Sequence, residues 1–289
     1  MKIVHADEVA PRRVSAHDEG EVTLRLLLQG DPDGLGKHEL GLVRHAGRFR
    51  APRQRRNFDQ FRIVLEGEFG WATRRRMKAG QVGYFPEGTP YGPEDAAACL
   101  ALTLRCAGPS GQGLLSHDQL RDGREALSTL GGFVDGVFQR AAAADASAPG
   151  RKQDGYEAIW EHVRGRKLAY PAKRYDEPVI ATPAALAWEP TDTAGVDRKL
   201  LGAFDHGACA ELLRIELGAK LVLEAPQAIQ LLFVLEGAGR AEGRVYRRWS
   251  ALEVPGGGRV GLDADAPTEL LRLGVPVISP ASAQLGRAA

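Results

Sequence analysis

Hydrophobic positions along this chain fall into short runs that alternate with polar ones and stop at glycine or proline. "EVTLRLLLQG", "HELGLVRHAG", "QFRIVLEGEFGWA" and "CLALTLRCAG" mark the first part, "AELLRIELGA" and "QLLFVLEGAG" the last. Runs of this length and period read as strands bounded by turns, so both ends are predicted to be all-β. Between them the period changes. "SHDQLRDGREALSTL" opens with Ser116 or Asp118 as a helix cap, and "QDGYEAIWEHV" offers Asp154 as a cap with Tyr156, Ile159, Trp160 and Val163 at helical spacing. The stretch 141–153, "AAAADASAPGRKQ", reads as an exposed loop between the two helices.

The pattern also repeats. "QFRIVLEG", Gln60 to Gly67, is echoed by "QLLFVLEG", Gln230 to Gly237. About nineteen residues past each glycine comes proline-x-glycine, at Pro86 to Gly88 and Pro255 to Gly257. Two β units with one spacing imply a duplicated domain. Residues 1–112 are expected to form one barrel, 113–178 a mainly helical linker, and 179–289 a second barrel.

These residues resemble the cupin superfamily, whose small jelly-roll barrels carry two motifs. The first has two histidines one residue apart, a glutamate four further on and a glycine seven after that. The second runs from a glycine through proline-x-glycine to a final histidine. In this chain the first maps onto Gln54, Arg56, Gln60 and Gly67, the second onto Gly80, Pro86, Gly88 and Tyr91. The resemblance implies a bicupin. The frame matches, but all four metal-ligand positions are changed. In the second copy the same positions hold Glu224, Pro226, Gln230 and Val260, of which only Glu224 is a ligand type.

A divalent metal needs imidazole or carboxylate lone pairs converging on one point. Arginine has donors only and stays protonated, so Arg56 repels a cation from the place a ligand should occupy. The first barrel is therefore expected to hold no metal and no other cofactor. Rebuilding a site around His45, on the preceding strand, would require further ligands.

Strand parity puts positions 54, 56, 60, 62 and 64 on the inward face and Phe61, Ile63 and Leu65 on the outward one. An outward apolar row suggests an interface. Arg56 and Arg62, accompanied by Gln54, Gln60 and Tyr91, would make an inward cationic pocket. Such charges require an acid or a bound anion, because an unpaired buried charge costs several kcal/mol. Planar guanidinium groups suit carboxylate or phosphate, which points to a small anionic or polyhydroxylated metabolite. The structural alternative is pairing with Asp59, Glu66 or Glu68. Tyr91 beside two guanidinium groups is expected to have a lowered pKa, and its place resembles that of the tyrosine in metal-free sugar epimerase cupins, a resemblance that implies Tyr91 with His45 as the catalytic pair of an isomerase or epimerase. Metal-dependent dioxygenase activity and a non-catalytic structural or regulatory role are the other readings. "RRRMK", Arg74 to Lys78, reads as a hairpin tip, and the second barrel as an apolar structural copy.

Composition narrows the classes further. A formal net charge of +1 argues against protein-wide attraction to nucleic acid or membrane. The opening "MKIVHADEVAPRR" lacks the apolar core of a secretory signal, and no run is long enough to span a bilayer, so a cytoplasmic protein is expected. The three cysteines, Cys99, Cys106 and Cys209, read as reduced core thiols. A homodimer is expected from the resemblance.

Overall fold

A computed structural model describes residues 1–14, 21–31, 36–141, 152–204, 206–225 and 228–275. Most of the expected loop at 141–153, and Pro226, lie outside the described residues. The chain forms two cupin barrels joined by a segment with two helices, as the repeat predicts. In the first barrel three long strands, His38–Ala51, Phe58–Ala72 and Glu94–Ala107, lie side by side and bend at bulges that let them wrap around the interior. The principal sheet of the second barrel centres on Gln230–Glu236, Thr268–Gly274 and Cys209–Ile215, and a four-stranded sheet closes its other side.

The repeated glycine has a backbone cause. Gly67 and Gly237 adopt φ values of 74° and 96°. A Cβ would approach the Ala98 carbonyl oxygen to 2.1 Å at the first and the Pro267 carbonyl oxygen to 2.4 Å at the second. Both positions combine left-handed backbone with a close crossing, which only glycine accepts.

Strands cross between the halves. Lys2–His5 pairs with Ser250–Val254 of the second barrel, while Val179–Ala181 pairs with Val82–Phe85 of the first. The barrels also share a core: Phe61, Ile63, Leu102 and Leu104 of the first pack with Leu212, Phe233, Leu271 and Leu273 of the second. The outward apolar row is thus an interface, and its occupant is the other barrel of the same chain. "EVTLRLLLQ" likewise pairs within the chain, against His38–Ala51.

A polar cluster interrupts this seam. Asp59, on the outward face beside Phe61, accepts from Tyr84 Oη at 2.7 Å and from the Glu87 amide at 2.8 Å. His206 Nε2 lies 2.7 Å from the same carboxylate, and Arg174 Nη1 lies 2.9 Å from His206 Nδ1. Because guanidinium only donates, Nδ1 accepts and Nε2 carries the proton given to Asp59. Nearby Glu87 is buried, accepts from the Ser110 amide and hydroxyl, and is pushed up to about 7 by desolvation.

The linker helices are α1, His117–Ser128, and α2, Gly155–Arg164. Ser116 and Gln119 form a reciprocal capping box on α1, and Asp154 caps α2 through the Glu157 amide. Trp160 is fully buried among Leu115, Leu127 and Phe138, and its Nε1 donates to the Gly113 carbonyl at 3.2 Å. The segment also carries a small sheet, Gly131–Val134, Val137–Arg140 and Lys152–Asp154, which the helical pattern does not announce. Arg75–Lys78 forms a hairpin with the end of Phe58–Ala72, as its turn-like flanks suggest.

Candidate functional site

Parity along Phe58–Ala72 holds across the motif: Val64 enters the interior core of the first barrel, and Phe61 and Ile63 take the opposite face. Arg62 therefore points inward, and Nη1 donates to Glu94 Oε1 at 2.8 Å. Its guanidinium lies 3.8 Å from the centre of the Phe69 ring. The other oxygen of Glu94 accepts from Gln54 Nε2 at 2.5 Å, and Gln54 Oε1 accepts from Arg56.

The charge count along this chain of contacts is uneven. Glu94 balances Arg62, whereas Arg56 reaches the neutral Gln54 amide and the Tyr91 hydroxyl and makes no ion pair among the described residues. Its Nη1 is buried without a hydrogen-bond partner, and its guanidinium stacks 4.4 Å from the centre of the Tyr156 ring on α2. The expected acids are elsewhere. Asp59 lies at the seam, and Glu66 and Glu68 bind Arg44 and Arg76 in exposed pairs.

The other sequence-predicted residues lie deeper in the first barrel. Gln60 is buried on the same face as Arg62. The Tyr91 backbone pairs with that of Gln54, and its ring packs on Phe85 at 4.9 Å. Its pKa is raised, contrary to the sequence expectation: burial dominates, Glu94 adds to it, and the opposing pull of Arg56 and Arg62 is insufficient. Tyr91 is thus a neutral phenol at ordinary pH. His45 packs against Phe49 and Phe69, with ring centres 4.6 and 5.3 Å away.

Where the barrel meets the linker, a cavity of about 520 Å³ opens between Arg56 and the two helices. Gln54, Arg56, Arg12, His117, Arg124 and Tyr156 line it, whereas Gln60, Arg62, Tyr91 and His45 do not. Arg12 binds Asp118 at 2.6 Å. His117 is backed by a buried pair: its Nδ1 lies 2.8 Å from Glu39 Oε2, and Arg105 donates to the same carboxylate. Against the opposing push of burial, Arg105 and His117 hold Glu39 well below the usual carboxylate range. Burial and the adjacent Arg105 bring His117 down to about 4.

Sequence reasoning overlooks His117, Glu39, Arg105 and Glu94. A faint signal existed for the middle two, each a lone charge in an apolar strand, "HELGLV" and "LALTLRCAG". In the second barrel Arg272 donates to Glu211 at 2.7 Å and to Gln230 at 2.9 Å, above an interior filled by Leu232, Val234, Tyr246 and Leu262. Glu224, placed inward by the repeat, is exposed, because Leu221, Leu223 and Ala225 take the inner face of its strand.

The residues at the superfamily's ligand positions do not fit a divalent metal. Gln54, Arg56, Gln60 and Tyr91 offer neither imidazole nor carboxylate, and Glu94 is committed to Arg62 and Gln54. Among the described residues no three histidine, cysteine, aspartate or glutamate side chains converge.

No family model and no curated protein sequence matches the chain. Solved structures do match in shape. A candidate dioxygenase from Nostoc punctiforme superimposes with a TM-score of 0.60 at 12% identity, over 97% of this chain and 85% of that one. Streptomyces albus HEPD, solved with 2-hydroxyethylphosphonate and Fe(II), gives 0.57 at 14%, over 100% and 78%. A deletion mutant of Bacillus subtilis oxalate decarboxylase OxdC gives 0.55 at 11%, over 96% and 77%. At such identities the likeness concerns the fold. This chain has the two-barrel cupin fold.

Proposed function

We propose that this protein binds a small anionic or polyhydroxylated metabolite at the mouth of its N-terminal barrel, under the linker helices, and does so without a metal or other cofactor. The observation that carries the reading is Arg56, a cation on the cavity wall with no carboxylate partner and a buried Nη1 without a hydrogen bond. Asp154 and Glu94 offset the burial of this guanidinium only from beyond ion-pair distance, and a bound anion would add direct charge-assisted hydrogen bonds. Arg12 and Arg124 on the same wall add positive potential.

Of the residues named from the sequence, Gln54 and Arg56 are assigned to the ligand. Gln60, Arg62 and Tyr91 support the wall from inside, and His45 and Tyr91 carry no catalytic role in this reading. A homodimer in a cytoplasmic setting, without nucleic-acid or membrane partners, completes the proposal. Among the described residues no helix is long and apolar enough to cross a membrane.

The test is a thermal-shift panel of carboxylates, phosphates and sugar acids. Stabilisation of the wild type that disappears in a folded Arg56→Ala variant supports the assignment. Unchanged stabilisation in that variant overturns it.

A further inference from the structure

A neutral imidazole in the cavity wall says more about what it takes. His117 is the first residue of α1. Its Nδ1 lies 2.8 Å from Glu39 Oε2, and an ionised carboxylate only accepts, so Nδ1 carries the proton. Arg105 stands 3.2 Å from the same nitrogen, and a guanidinium at that distance disfavours an imidazolium. Burial and Arg105 outweigh the opposing pull of Glu39, so the ring is neutral and its Nε2 presents a lone pair. Among the described residues no donor reaches Nε2, and the ring lines the same cavity as Arg56.

Tyr156 and Ser128 bring hydroxyls whose protons go to Asn57 and the Arg124 carbonyl, and the other side-chain acceptors there are committed or carry charge. Asp118 binds Arg12 and Arg121, Asp154 takes the amide of Glu157, and Gln54 Oε1 accepts from Arg56. Glu125 is an exposed carboxylate. An anion without a donor of its own leaves Nε2 unpaired when it displaces water, and one that carries a hydroxyl pairs it.

We propose that the cavity selects small anions bearing a hydroxyl group, the arginines holding the anionic end and His117 Nε2 accepting the hydroxyl hydrogen. The discrimination belongs to the same logic by which a polar site rejects an analogue lacking its partner group. No bond is made or broken in this step.

The inference rests on the anion-binding reading above, and matched probes separate the two. Titration calorimetry with malate against succinate, and lactate against propionate, should show the hydroxylated member of each pair binding about tenfold tighter to the wild type. His117→Asn keeps a donor toward Glu39 and removes Nε2, so it should lose the preference, the affinities within each pair converging. His117→Gln, which can return a carbonyl to the Nε2 position, should recover part of the preference. Equal affinities within each pair for the wild type, or an undiminished preference in folded His117→Asn, overturn the inference and leave the anion reading standing. Absence of binding by all four probes overturns both. Should the variants fail to fold, the wild-type comparison decides the matter alone.

Discussion

Arg62 and Glu94 meet at 2.8 Å inside the first barrel, at 8% and 4% residue exposure. The pair settles the fate of one arginine from the opening motif and, by consuming the carboxylate, leaves the other without one. Arg62 is a structural cation, and Arg56 is the one that faces the cavity.

Glu94→Ala should therefore destabilise the protein by about 3 to 5 kcal/mol, because it leaves Arg62 buried without a counter-charge. The double variant Arg62→Met, Glu94→Leu should regain most of that loss. Urea unfolding measures both, and a loss below about 1 kcal/mol for the single variant would show that the pair is solvated or replaced.

Arg56 should behave in the opposite way. With no ion pair to break and a buried charge removed, Arg56→Gln is expected to raise unfolding free energy, or to lower it by less than about 1 kcal/mol, in the absence of added anions. A larger loss would mean that its stacking on Tyr156 holds the linker in place.

Glu87 supplies a pH dependence. Its folded pKa, pushed up to about 7 by burial, exceeds the unfolded value of 4.5. The folded state thus retains a proton that the unfolded state releases between those values, and this group's stabilisation is lost as pH rises through about 7. Glu87→Gln mimics the protonated form and removes the loss. Relative to wild type, the variant should gain on the order of 2 kcal/mol between pH 5 and pH 8. A pH-independent difference in urea midpoints would contradict it.

Trp160 fastens the linker. Trp160→Ala should cost about 3 to 5 kcal/mol locally, seen as faster hydrogen exchange and proteolysis across α1 and α2 while the barrel strands stay protected. Uniform loss of protection would instead make the linker part of one cooperative unit with the barrels.

The fold was legible in the chain because two of its signals are local. Period-two runs bounded by turns mark strands, and Gly67 and Gly237 occupy backbone that excludes side chains, so the repeat is visible as spacing. The inward course of Arg62 followed from parity along its strand, whereas Arg56 precedes that strand, which begins at Phe58, and faces the cavity at the barrel mouth. The partners did not follow from parity. Glu94 lies 32 positions from Arg62, at the far end of the neighbouring strand, where Arg62 pairs with Thr103, and the bend of the strands brings the two side chains together. His117 and Glu39 are 78 positions apart and meet because a helix cap lands over a barrel mouth. The raised pKa of Tyr91 was hidden for the same reason: proximity to arginines is readable from spacing, but the depth of burial that outweighs them is a property of the packed barrel.

The mouth of the first barrel, in the proposed function, holds an anion against Arg56. A crystal soaked in selenate tests it by anomalous scattering. The expected result is a selenium peak in the cavity within about 4 Å of the Arg56 guanidinium, a distance set by charge-assisted hydrogen bonding. An ordered cavity without a peak, with Arg56 turned onto Asp154 or Glu125, would contradict it.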